Sequence, residues 1–118
     1  MVYEYYQYLN IDKILDSLGD IIEDLDDINQ KNILKIIEEN LLEIREKSNE
    51  LDEVVLSLNE INKKIMNDLY TRYILVTLRF LQVKLKDVPS KLITRSYIME
   101  NITKDIKYLD NLSKTGRY

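Results

Sequence analysis

A chain of 118 residues with no cysteine and no histidine has no disulfide framework, zinc–thiolate site, thiol nucleophile or imidazole base. What chemistry remains must come from carboxylates, lysine, serine or tyrosine, which weighs against an enzyme; no catalytic residue, metal ligand or cofactor site is expected. The formal charge of −4 hides a division: residues 1–60 carry 16 acidic and 5 basic side chains, a balance of −11, and residues 61–118 carry 5 acidic and 12 basic, a balance of +7. Such a split predicts either two halves that neutralise one another across a helical bundle or a charged binding surface.

The length suits one domain that buries roughly two-thirds of its unfolded surface. The start, "MVYEYYQYLN", has neither a basic n-region nor an apolar h-region, so no secretory signal is read and a cytoplasmic location is expected. Its tyrosines at 3, 5, 6 and 8 have only Glu4 for charged company. A nucleic-acid stacking platform needs cations beside its rings, so packing onto the chain's own bundle is expected, with docking to a partner as the second choice.

Only two glycines and one proline interrupt the chain, and apolar residues recur at three- and four-residue steps, the pattern of an all-α fold. Asn10 is the expected N-cap of a first helix whose stripe is Ile11, Ile14, Leu15, Leu18, Ile21, Ile22, Leu25 and Ile28, with aspartates and glutamates on the other face. Carboxylates at its C-terminal end oppose the helix dipole, predicting fraying or a stop near residues 26–29. A second helix is expected over residues 32–47, with Ile33, Ile36, Ile37, Leu41 and Ile44 inward. Ser48 or Asn49 then reads as the cap of a third.

From Leu51 the apolar steps continue to the break at Pro89, and residues 90–112 form a last helix. Ser90 is its cap, Leu92, Ile93, Tyr97, Ile98, Ile102, Ile106 and Leu109 its buried face, and Gly116 a C-terminal cap. If residues 50–86 were one helix it would span about 55 Å, against roughly 35 Å for a compact domain of this size. Either the helix breaks, most naturally in the polar stretch "LNEINKK" at 58–64, or it projects onto another chain. The expected architecture is a bundle of four to five helices with one long central helix, a single domain over residues 1–112, and a tail or linker start at 113–118.

Two groups of side chains invite a chemical reading. Glu39, Glu43 and Glu46 share a helix face, as do the magnesium-binding carboxylates of all-α nucleotide pyrophosphohydrolases. The second carboxylate pair of such a site is missing from the following helix, so a solvated acidic face is favoured. The segment "DLYTRYILVTLRFLQVKLK", residues 68–86, is more informative. Arg72, Arg79 and Lys86 are heptad-spaced, Asp68 is placed to pair with Arg72, and the remaining faces are apolar nearly all round. Its longest apolar run, Tyr73 to Leu78, is far short of the ~20 residues of a membrane span. Such a helix must be covered on several sides. The arginine stripe is then its polar seam, directed at the acidic helices, at another subunit, or, as a second choice, at phosphates.

The stretch "LNEINKKIMNDLYTRYILVTLRFLQVKL", with "RYIL" at Arg72 to Leu75, the break at Pro89 and the following "SYIMENITKDIKYLDNL", resembles the α-helical A domain of GINS subunits, accessory factors of archaeal and eukaryotic replicative helicases. The resemblance covers about residues 30–112. It implies a non-catalytic scaffolding subunit whose partners are a second GINS subunit, the MCM helicase and a RecJ-like or Cdc45-like protein, with Arg72, Tyr73, Arg79, Phe80 and Lys84 in the helix packed within or between subunits. The β-rich B domain usual in that family has no counterpart here. Tyr70, Arg72, Tyr73, Arg79, Phe80, Lys84 and Lys86 are thus the candidate partner-binding residues. The alternative is a small helical subunit that coats nucleic acid, as in CRISPR effector complexes, through Lys63, Lys64, Arg72, Arg79, Lys84, Lys86, Lys91 and Arg95; the acidic total argues against it.

Overall fold

A computed structural model describes residues 6–89 and 97–116, apart from the side chains of Asn49 and residues 51–56. Four helices carry the described residues, α1 Ile11–Asp24, α2 Ile28–Leu56, α3 Glu60–Leu85 and α4 Tyr97–Thr115, and no strand is present among them. The helices form a ring in which α1 touches α2 and α4, α3 touches α2 and α4, and α1 lies diagonally across from α3. Neighbours run antiparallel. Arg45 of α2 reaches Asp12 at the start of α1, while Gly19, later in α1, faces Glu38, earlier in α2. The body measures 49 × 23 × 19 Å, longer than a compact chain of this size would be, because α2 and α3 outrun the 14 residues of α1.

Local chemistry sets the boundaries. Leu25 is extended at the end of α1, and two residues on Asp27 caps α2 by accepting from the Gln30 N–H at 3.0 Å. The stop therefore falls at Asp24–Leu25, just before the expected positions and still among the clustered carboxylates. Asn59 caps α3 through the Asn62 N–H at 2.9 Å. The break thus lies at 57–59, overlapping the start of the polar stretch 58–64 and leaving most of that stretch in the first turns of α3. The boundary expected at Ser48 does not exist: Ser48 is buried in mid-helix, its hydroxyl donating to the Arg45 carbonyl at 3.1 Å, which satisfies it without a cap. Two long helices replace the single long one expected. At the other end Gly116 adopts φ +65° and donates its N–H to Leu112 O at 2.8 Å, the left-handed cap that glycine permits, so α4 runs beyond residue 112 into the expected tail. Ser90, Leu92 and Ile93 lie outside the described residues.

The core draws on every helix, from Ile14 and Leu18 through Ile37, Leu41 and Ile44 to Ile74, Leu78, Ile98 and Leu109. Three expected core positions face out instead. Ile28, in the first turn of α2, Ile36 and Tyr97 are all exposed. Leu34 takes the inward place near Ile37, since the core stripe of α2 runs through 34, 37, 41 and 44 and leaves 36 about 100° away from 37.

One buried polar contact closes the ring. Asn10 occupies the N-cap position of α1 but makes no side-chain cap to its own helix. Its backbone N–H and its Nδ2 both donate to the Asp105 carboxylate of α4, at 2.7 and 2.8 Å. Asp105 is 1 % exposed. Burial pushes its pKa up from 3.8 to about 6, and the two Asn10 hydrogen bonds only partly oppose that. Because the folded pKa lies above the unfolded one, the folded state binds the extra proton between about pH 4 and 6, and stability contributed at low pH is lost as pH rises through 6. Relative to the Asp105→Asn variant, wild-type protein is expected to gain about 2 kcal/mol of unfolding free energy between pH 7 and pH 4.5, measured by urea denaturation at both values.

Candidate functional site

Diagonal placement decides what α3 can bury. One side of the helix, Asn67, Thr71, Ile74, Leu75, Leu78, Leu81 and Leu85, lies in the bundle interior. The opposite side would be polar in an ordinary bundle helix. Here it carries Ile61, Ile65, Leu69, Tyr73, Val76, Phe80 and Val83, each between 42 and 73 % exposed. At 100° per residue these seven fall within about 120° of arc, and they extend over about 33 Å of helix. Several hundred square ångströms of contiguous apolar surface result, the size at which a patch on a monomer signals an interaction site.

The expected partner-binding residues occupy the stripe and its edges. Tyr73 and Phe80 belong to the stripe itself. Tyr70 turns toward α2, stacked on Tyr73 with ring centroids 6.0 Å apart. Burial, then Tyr73 and Glu43, push its hydroxyl up to about 12, so it remains a neutral donor at any working pH. Lys84 holds its ammonium 5.3 Å from the Phe80 ring centroid, a cation–π contact to a half-exposed ring. It also lines, with Gln30, Ile33, Leu34 and Asp87, a small cavity of about 60 Å³ between α2 and the end of α3. Lys86 is exposed just past the helix end.

The two arginines follow the expected geometry with different partners. Arg72 bonds Asp68 on its own helix at 3.1 Å. Arg79 reaches Asp110 of α4 at 3.4 Å. The seam therefore does not face the acidic helices: α1 is across the diagonal from α3, and although α2 is a neighbour of α3, the arginines lie on the edge toward α4. Nor do these cross-helix pairs join the two charge halves: Arg45 with Asp12 and Arg79 with Asp110 each stay within one half. Exposed pairs of this kind contribute at most about 1 kcal/mol each.

Elsewhere the chemical candidates disperse. Glu43 pairs with Lys47 at 3.7 Å on the α2 surface, and among the described residues no three acidic, histidine or cysteine side chains gather as a metal site would require. Of the tyrosine-rich start, Tyr6 packs against the core with its hydroxyl buried, and Tyr8, largely exposed, tilts against Tyr108 of α4 at 6.2 Å. Own-bundle packing is thus seen for Tyr6, whereas Tyr3 and Tyr5 lie outside the described residues, as do Lys91 and Arg95. No helix among the described residues is long and apolar enough to cross a membrane.

Five stripe residues, Ile61, Ile65, Leu69, Val76 and Val83, are absent from the residues expected to bind a partner. The signal was present: their steps of four, with Tyr73 and Phe80, trace a second stripe half a turn from the core one. Reading both as one unbroken apolar run merges them.

No protein-family model matches this chain, and no curated protein or solved structure matches it. The resemblance to GINS subunits therefore gains no support from these comparisons, and function rests on the geometry of α3.

Two substitutions two residues apart separate the faces. Leu78→Ala, at a fully buried position, is expected to cost about 2–5 kcal/mol. Val76→Glu, on the exposed stripe, is expected to leave stability within about 0.5 kcal/mol of wild type. Urea denaturation of the two variants measures both.

Proposed function

We propose that the protein is a non-catalytic helical subunit of a multiprotein assembly, and that the outer face of α3 is its docking surface. One observation carries the reading: α3 is apolar on the face that the bundle covers and on the face that it does not. Surface of this kind is worth on the order of 10 kcal/mol in gross burial once covered, enough to exceed the lower estimates of the cost of association. Together with its charged rim the face approaches the roughly 800 Å² per partner of a stable interface. A GINS-type scaffold is one instance of such a subunit, favoured by the order of its helices and by Arg72, Tyr73, Arg79, Phe80 and Lys84 falling on this helix.

The experiment compares tagged wild-type protein with the Leu69→Glu/Val76→Glu variant, purified from the source cell and sized by sedimentation velocity. Wild type is expected to sediment as a stoichiometric complex, with itself or with other chains. The variant, folded by circular dichroism, is expected to sediment as a monomer alone. A wild-type protein that is a strict monomer without stoichiometric partners would overturn the reading.

A further inference from the structure

The form and charge of the stripe identify what kind of partner fits it. From Ile61 to Val83 the exposed apolar residues advance by about 3.7 residues per step, so the stripe runs nearly straight along α3 and is one side chain wide. A second helix with its own apolar seam matches that shape. Charge then selects among helices. Residues 60–87 carry six basic and three acidic side chains, a balance of +3; Arg72, Arg79 and Lys86 follow one edge of the stripe and Lys84 the other. Beside Ile65 an open recess of about 260 Å³, lined by Lys64, Asp68, Ser113 and Gly116, lies between α3 and α4 and can receive side chains from a helix laid along it.

We propose that the outer face of α3 binds an amphipathic helix of another protein whose apolar seam is flanked by aspartate and glutamate. The inference rests on the docking role proposed above and names the partner's chemistry. A second copy of this chain fits less well in either arrangement. Pairing α3 with α3 sets two +3 rims together, with Arg72 opposite itself at the midpoint of the stripe. The acidic α1 of a second copy would match in charge but has no exposed large apolar residue to offer. A bilayer extends far beyond a stripe one side chain wide, and an anionic one would meet the same +3 rim, so vesicle binding is one outcome of the test below.

The test uses the full chain and two designed 22-residue helical peptides with an identical leucine seam, one flanked by glutamate and one by lysine, titrated by fluorescence anisotropy. The glutamate peptide is expected to bind at least about tenfold more tightly than its lysine twin, with affinity falling as salt rises. Val76→Glu is expected to abolish binding, and Arg72→Glu/Lys84→Glu to reverse the preference. Equal affinity for the two peptides, or no binding of the glutamate peptide, overturns the inference. Sedimentation and flotation with phosphatidylcholine–phosphatidylglycerol vesicles serve as further arms. Self-association lost in Val76→Glu would overturn the acidic-helix partner while preserving the subunit role, and vesicle binding lost in the same variant would overturn both.

Discussion

A ring of four helices gives each member two neighbours and one side to water, and that geometric limit governs this protein. For α1 the limit matches the sequence, with isoleucine and leucine inside and a row of carboxylates outside. For α3 it does not. Its interior residues satisfy the ring, while an equally apolar stripe remains on the solvent side. None of the other described helices covers it, since α2 and α4 flank α3 and α1 lies on the far side.

The same limit explains the charge distribution. Acidic α1 and basic α3 lie on opposite corners, and although the halves pack together where α2 meets α3 and α1 meets α4, the cross-helix pairs Arg45–Asp12 and Arg79–Asp110 each stay within one half. Arg72 and Arg79 find local carboxylates instead, one on α3 and one on α4. The molecule therefore keeps an acidic side and a basic, apolar side, and the division visible along the chain survives as a division in space.

Much of this was legible in the sequence. The all-α class, the six buried residues of α1 and the Gly116 cap follow from periodicity and capping chemistry, and a break at the edge of the polar stretch 58–64 follows from helix length against domain size. Ser48 was misread as a boundary because a serine that caps and a serine that bonds back to its own helix look the same in sequence; only the backbone partner, here Arg45 O, separates them. Ile36 shows the complementary failure, since an apolar residue one position off the core stripe is indistinguishable from a member of it until the neighbouring helices are placed, and Ile28 left the stripe of α1 because that helix ends four residues earlier. The outer stripe of α3 was visible only as excess hydrophobicity. Dividing it into two faces required knowing how many neighbours the helix has.

The contact between Asn10 and Asp105 spans 95 positions of the chain, whereas the contacts of α1 with α2, α2 with α3 and α3 with α4 are between successive helices. Without the closure the fold is a linear series of hairpins, each able to form and fray by itself. With it, α1 and α4 complete a circle, and the loss of any one helix exposes surface on two others. The loop-closure entropy grows only slowly with loop length, so the hydrogen bonds at the start of α1, together with the packing of α1 on α4, join neighbour-by-neighbour stability into a cooperative whole.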